Sequence, residues 1–211
     1  MYGLLMLCFD YSNVNIDEFN DWYDTEHIPE RERTRGILNA NRWLTTSNRR
    51  ISVASYDLET IDVLAYPEYL AISGKNLSPW SKRIVPACKQ LLRFEGRQIY
   101  PGSGLASKSA SLLLLIGVKL TPVLGLDTNE VYRAHASRVE KIPGLEARFF
   151  KSTNESVDFL EMYELASAEL LKSEHWRRAD DAHAFGAMSR RAGLNILCER
   201  YRRTTGEHPI C

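Results

Sequence analysis

Apolar residues recur along the chain in short runs of strand length, separated by amphipathic stretches typical of helices. One such run opens each half, at residues 3–9 and 111–118. Three further runs follow at corresponding places, at residues 37–43, 51–58 and 91–100 and again at residues 145–150, 157–165 and 194–201. The pattern predicts the order β-α-β-β-α-β in each half, which is the split βαβ arrangement of ferredoxin-like units.

The signals that begin the first helix of each half also correspond. Asn15 followed by Glu18 has the pattern of a capping box, and Asp127 followed by Glu130 is its counterpart. In such a pair the short side chain accepts a hydrogen bond from a free helix N–H, and the glutamate bonds back to the cap. The same start signal therefore predicts the same helix in both halves.

The ends of these two helices match as well. His27 lies nine residues before Gly36, and His135 lies nine residues before Gly144. Glycine is the residue most often found just past a helix C-terminus, because it adopts a positive φ without steric cost. Two copies of one unit, related by an internal repeat, account for this equal spacing.

These matches divide the chain into a first repeat at residues 1–100, a Gly- and Ser-rich linker at 101–109 and a second repeat at 110–211. A four-stranded sheet with helices on one face leaves its other face apolar and uncovered. Two such sheets in one chain can cover each other. The predicted fold class is therefore α+β, with two fused ferredoxin-like βαββαβ units whose sheets pack face to face in a barrel-like core.

Charge and cysteine usage restrict the function. The chain has 27 basic and 27 acidic residues, so no excess of positive charge predicts a nucleic-acid partner. No apolar run approaches the roughly 20 residues of a membrane span. The four cysteines (Cys8, Cys88, Cys198 and Cys211) are scattered, and no basic segment precedes the first apolar run. We therefore expect reduced thiols in a cytoplasmic protein.

Residues 19–31, with the sequence FNDWYDTEHIPER, are followed by Gly36 and by the pair Arg42-Trp43. This segment resembles the signature of EthD-like proteins in the dimeric α/β-barrel superfamily, and residues 66–70 with Trp80 look like its second-helix region. The resemblance implies that fold and a pocket between helix and sheet. It implies no single activity, because members include cyclases, lactone isomerases, metal-free monooxygenases, haem enzymes and proteins without known chemistry.

The first helix carries the leading catalytic candidates. Ile16, Phe19, Tyr23 and His27 are spaced three, four and four residues apart, so they form one stripe that we expect to face the sheet. An imidazole changes charge near neutral pH and suits acid–base catalysis, with the phenol as its partner. Arg42 in the next strand is the predicted anchor for an anionic group. The alternatives are a helix-capping role for His27 and an ion pair of Arg42 with Glu26 or Asp24.

Further candidates could bind a substrate. Trp22, Trp43 and Trp80 could form flat walls for an aromatic ligand, although core packing explains them equally well. In the second half, His135 and Arg138 lie on the counterpart stripe. Valine replaces the tyrosine of the first stripe there, so the two pockets should differ in chemistry.

The leading hypothesis is a cofactor-independent acid–base enzyme of the lyase, isomerase, cyclase or dehydratase type, acting on a small aromatic or polyketide-like molecule. Metal-free oxygenation in the same pocket is a variant of it. No motif predicts a metal site. One alternative is a haem-binding member of the superfamily, with His135, His175 or His183 as the iron ligand. Another is a non-catalytic binding or accessory protein. A homo-oligomer is compatible with each of these hypotheses.

Overall fold

The computed structural model of this chain describes residues 1–102, 104–119, 128–154, 157–181 and 194–202. The strands are β1 (Gly3–Asp10), β2 (Ile37–Thr45), β3 (Ile51–Leu58), β4 (Lys89–Tyr100), β5 (Leu112–Val118), β6 (Glu146–Ser152), β7 (Phe159–Leu165) and β8 (Asn195–Arg200). The helices are α1 (Ile16–Trp22), α2 (Ile28–Glu32), α3 (Pro67–Leu70), α4 (Ser81–Ala87), α5 (Thr128–Glu140), α6 (Glu169–Lys172) and α7 (Glu174–Asp181). A π-helical turn, Tyr23–His27, joins α1 to α2, and short 3-10 turns cover Ile61–Ala65 and Gly74–Asn76.

The eight strands form one closed antiparallel barrel in the order β1-β3-β2-β8-β5-β7-β6-β4. Within each half the four strands follow the same spatial order, β4-β1-β3-β2 in the first and β8-β5-β7-β6 in the second. The halves meet where β2 pairs with β8 and where β4 pairs with β6. The predicted α+β class and barrel-like core are confirmed, and closure leaves no unpaired sheet edge.

Strand periodicity sorts the side chains into an interior core and an outer surface. Successive side chains of a strand point to opposite faces, and every strand contributes to the interior. The interior cluster includes Leu4, Met6, Cys8, Trp43, Val53, Phe94, Leu113, Leu115, Phe150, Leu160, Met162 and Cys198. The alternate side chains of β1, Leu5 and Leu7, lie on the outer face and pack beneath the helices of the first half. Each candidate pocket between helix and sheet is therefore outside the barrel.

The predicted start of the first helix is confirmed. The side-chain oxygen of Asn15 accepts hydrogen bonds from the backbone N–H groups of Asp17, at 2.8 Å, and Glu18, at 3.2 Å. The counterpart cap at Asp127 lies outside the described residues. No helix within the described ranges is long and apolar enough to cross a membrane.

The segment between the halves is anchored to both of them. The amide side chain of Gln98 makes two hydrogen bonds to the backbone of Gly104, at 2.9 and 3.0 Å. Arg200 of β8 donates to the carbonyl oxygens of Ser107 and Ala110, at 2.6 Å each. These bonds fix the segment to both halves, although its small residues alone predict a flexible linker.

The two helix-ending glycines provide a matched test of local strain. Gly36 and Gly144 have φ values of +85° and +72°, but a Cβ at Gly36 would lie 2.5 Å from Cγ2 of Val63, whereas a Cβ at Gly144 meets open space. Gly144→Ala should lower the free energy of unfolding by about 1 kcal/mol through the backbone alone. Gly36→Ala should cost about 1 kcal/mol more, because stiff, buried Val63 must move.

Urea denaturation of the two single variants measures this difference. Equal losses of stability at both positions would show that Val63 yields freely and that the backbone conformation is the whole cost.

Candidate functional site

The first helix presents its predicted stripe to the sheet, with one exception. Phe19, Tyr23 and His27 are buried, whereas Ile16 is 43% exposed, so the predicted inward position of Ile16 is wrong. The helix widens at Tyr23, whose carbonyl accepts from the N–H of Ile28 five residues later. Such π-turns are frequent at functional sites. The rings of Tyr23 and His27 remain in edge contact, with their centroids 5.1 Å apart.

A cavity of about 230 Å³ lies between this helix and the outer face of the sheet. Its apolar wall is formed by side chains from β1 and by aromatic rings, and its polar wall by the helix and β4. The lining residues are Leu5, Leu7, Phe9, Trp22, His27, Arg31, Tyr56, Tyr69, Ser73, Gly74, Leu77, Val85, Gln90 and Arg93. The wall thus includes His27, whereas Tyr23 packs beside it in the core.

The environment of His27 and Tyr23 keeps both groups neutral. Burial, followed by the positive charge of Arg31, lowers the pKa of His27 to about 3. Burial raises the pKa of Tyr23 to about 12. An effective acid–base group has a pKa near the working pH. Neither group meets that condition, and Nδ1 of His27 has no hydrogen-bond partner among the described residues.

Arg31 is a site residue that the sequence analysis did not identify. It is 5% exposed, and its Nη2 donates to the carbonyl oxygen of Ile72 at 2.9 Å. Its guanidinium lies 5.5 Å from the centre of the Tyr69 ring. Arg31 lies four residues after His27, so the helical spacing of the stripe predicts that it also faces the sheet.

Arg42, the predicted anchor, lies outside this cavity wall. Its Nε donates to Ser52 Oγ at 3.1 Å, and its Nη2 donates to Asn20 Oδ1 at 2.7 Å. Nη1 is 3.8 Å from Asp24 Oδ1, which is one of the two ion pairs predicted as alternatives. The guanidinium also covers the ring of Tyr23 at 4.6 Å. Its contacts tie the helix to β2 and fix the position of Tyr23.

The three candidate tryptophans do not lie together: Trp22 and Trp80 contact the outer cluster of the first half, and Trp43 lies in the interior cluster. Trp22 lines the cavity and donates from Nε1 to Ser81 Oγ at 3.0 Å. Trp43 is fully buried inside the barrel, on the other side of the sheet. Trp80 packs against the outer cluster of the first half. Of these three, Trp22 is the one that the structure brings together with His27.

The second half places His135 and Arg138 in a buried polar cluster. Nδ1 of His135 lies 3.1 Å from Glu161 Oε1 and 3.3 Å from the hydroxyl of Tyr163. Arg138 lies 3.7 Å from Glu161 Oε2 and 3.4 Å from the Tyr163 hydroxyl. The His135 ring stacks on Phe149, with centroids 4.6 Å apart. Nε2 of His135 is buried and has no hydrogen-bond partner among the described residues.

The other two histidines considered as iron ligands are placed differently. His175 is exposed on α7, and His183 lies outside the described residues. The described residues contain no group of three or more His, Cys, Asp or Glu side chains able to hold a metal ion.

The two histidines occupy equivalent positions with different surroundings. Asp57 and Glu164 occupy equivalent positions near the ends of β3 and β7. Three residues before them, the first half has Ala54 and the second half has Glu161. His135 therefore faces a carboxylate, whereas Nδ1 of His27 has no partner. The surroundings of the two histidines therefore differ chemically, and a difference between two ligand pockets stays a prediction.

The closed barrel with helices outside is shared with several solved structures. A chlorite dismutase from Candidatus Nitrospira defluvii with an arginine-to-glutamate mutation matches 95% of this chain at 13% identity, with a TM-score of 0.64 and 92% of its own chain covered. The same enzyme in complex with imidazole matches with a TM-score of 0.62 at 14% identity, and 91% of its chain is covered. A protein provisionally assigned as a chlorite dismutase matches with a TM-score of 0.63 at 11% identity, and 95% of its chain is covered.

No protein-family model matches the chain, and no curated protein matches it. At 11–14% identity the structural likeness shows the fold alone. The EthD-like subfamily therefore stays a prediction.

Proposed function

We propose that the second half of the chain binds haem, and that Nε2 of His135 would hold its iron. The main support for this proposal is the difference in hydrogen bonding between the two ring nitrogens of His135. Nδ1 is held by Glu161, and Nε2 is buried without a described partner. Histidines that ligate metals generally donate their other ring N–H to a carboxylate, which fixes the tautomer and makes the ligating nitrogen more basic.

The surrounding residues hold the His135 ring and its carboxylate partner in place. Arg138, 3.7 Å from Glu161, compensates the buried carboxylate, so that Glu161 can stay charged and accept from Nδ1. Phe149 stacks on the imidazole and Tyr100 packs against its edge, with centroids 5.2 Å apart, so the ring orientation is fixed. A bound haem would supply an iron able to take a small ligand.

The names of the structural neighbours support the proposal. The structural neighbours are named chlorite dismutases, and structures of one are described in complex with cyanide and with imidazole. Both molecules are ligands of iron. The superfamily that the first half resembles includes haem enzymes, and this interpretation was one of the alternatives predicted from the sequence.

Titration of the purified protein with haemin tests the proposal. The wild-type protein should give a sharpened, shifted Soret band at one equivalent, and His135→Ala should lose it. Glu161→Gln should weaken haem binding about 10- to 100-fold, the usual effect of removing such a carboxylate. His175→Ala, at an exposed position on α7, is the matched control and should bind as the wild type does. An unchanged spectrum in His135→Ala would refute the assignment.

The cofactor-independent acid–base hypothesis has less support. It requires His27 to gain or lose a proton near neutral pH, and burial holds the pKa of that histidine at about 3. The aromatic or polyketide-like substrate and the cytoplasmic location stay predictions.

We also infer that the two halves are fused ferredoxin-like units, as the repeat predicts. Their shared strand order and the placement of His27 and His135 on equivalent helices support this inference. Association of such chains into a homo-oligomer remains part of the proposal.

A further inference from the structure

The cavity of the first half is built for a ligand that is mostly apolar. Leu5, Leu7 and Phe9 from β1 form one wall, and the rings of Trp22 and Tyr56 form another. A cavity of about 150 Å³ lined by apolar side chains holds benzene. The 230 Å³ here therefore accommodates a single aromatic ring together with a small polar group.

The polar part of the wall carries positive charge. The lining residues include two arginines, Arg31 and Arg93, and no carboxylate. Arg93 lies towards solvent and is bonded to Glu95 at 2.7 Å, so its charge is balanced. Arg31 is the deeper of the two, with a side chain that is 6% exposed.

The charge of Arg31 is incompletely compensated. Its nearest carboxylate oxygen, Oε2 of Glu30, is 3.9 Å from Nη2, beyond hydrogen-bonding distance. Its Nη1 is buried and has no hydrogen-bond partner among the described residues. A buried cation without a close counter-charge is costly, and an anion that supplies the missing acceptor would remove that cost.

His27 adds a second unpaired group to the same wall. Its Nδ1 is also buried without a described partner, and the ring is neutral. A neutral imidazole nitrogen can donate or accept one hydrogen bond, depending on the tautomer. The hydroxyl of Tyr56, which also lines the cavity, is likewise buried without a described hydrogen-bond partner. Three unpaired polar groups therefore border one largely apolar cavity, which is the pattern of a small-molecule site with a few orienting polar contacts.

We propose that this cavity binds an aromatic monocarboxylate of about the size of benzoate. The carboxylate accepts from Nη1 of Arg31 and pairs with its charge, and His27 supplies a second hydrogen bond. The ring lies among Leu5, Leu7, Trp22 and Tyr56. The site is independent of the proposed haem site, because its residues all belong to the first half.

Calorimetric titration of the full chain at neutral pH with three probes tests the proposal. Benzoate has both the ring and the charge, benzamide has the ring without the charge, and acetate has the charge without the ring. We expect benzoate to bind at least tenfold more tightly than either of the other two. Equal affinity for benzoate and benzamide, or no detectable binding of benzoate, would overturn the proposal.

Two variants and a control locate the site. Arg31→Met should weaken benzoate binding at least tenfold and leave benzamide binding unchanged. Arg33→Met, at an exposed position just after α2, should bind benzoate as the wild type does. Should Arg31→Met fail to fold, Leu7→Trp tests the same cavity by filling it and should abolish benzoate binding. Retained benzoate affinity in Leu7→Trp would overturn the assignment. His135→Ala should leave benzoate binding intact, which separates this site from the haem proposal.

Discussion

Replacing Arg148 with methionine should lower the free energy of unfolding by about 3–5 kcal/mol, because it leaves two buried carboxylates without their counter-charge. Nη1 of Arg148 lies 2.5 Å from Asp57 Oδ1, and Nη2 lies 2.7 Å from Glu164 Oε1. All three side chains are at most 4% exposed. Such a loss is a large part of the total stability of a protein of ordinary size.

The position of this cluster makes its removal a global effect. Asp57 lies on β3 of the first half, and Arg148 and Glu164 lie on β6 and β7 of the second. The second oxygen of Asp57 accepts from the backbone N–H of Ala106, and the second oxygen of Glu164 accepts from that of Ser107, at 2.8 Å each. One guanidinium thus joins both halves and the linker at one end of the barrel.

Urea denaturation at pH 7 measures the loss, and a second inter-half ion pair is the control. Arg49 and Glu199 are 2.8 Å apart, but their side chains are 65% and 50% exposed. Arg49→Met should therefore change stability by less than about 1 kcal/mol. Adding Asp57→Asn and Glu164→Gln to Arg148→Met should restore part of the loss, since the carboxylates no longer repel each other. A loss below about 1 kcal/mol for Arg148→Met would contradict the argument.

This cluster also shows where prediction from the sequence ends. The predicted strands at residues 51–58 and 157–165 contain Asp57 and Glu164 at equivalent positions, and the sequence predicts all eight strands to within a few residues. The ion pair between Arg148 and Asp57 joins residues 91 positions apart across the barrel. Local periodicity contains no information about such a pair, because it depends on how the two sheets close on each other.

Two features of the site could have been predicted but were not. Arg42 and Trp43 are adjacent in a strand, so they point to opposite faces and cannot both line one pocket. The structure places Arg42 beneath the helix and Trp43 inside the barrel. Arg31 likewise continues the stripe of His27 by one turn. The volume of the cavity and the missing partner of Arg31, in contrast, depend on packing that no local pattern encodes.

The stability of the protein should fall by about 2 kcal/mol between pH 7.5 and pH 5.0 through His27 alone, and by about 3 kcal/mol by pH 4.0. Burial and the charge of Arg31 hold the pKa of His27 at about 3 in the folded protein. In the unfolded chain the same group has a pKa near 6.5. Between these two values the unfolded state binds a proton that the folded state does not, so stability falls as the pH is lowered, at about 1.4 kcal/mol per pH unit.

Urea denaturation of the wild type and of His27→Gln across this pH range isolates the contribution. Glutamine does not titrate, so the stability of the variant should depend less steeply on pH, by about 2 kcal/mol between pH 7.5 and 5.0. Carboxylates that also titrate contribute to both proteins and cancel in the comparison. His175→Gln is the control, because it replaces a histidine at an exposed position on α7. Parallel curves for the wild type and His27→Gln would mean that His27 is protonated as readily in the folded state as in the unfolded one, and would return it to consideration as an acid–base group.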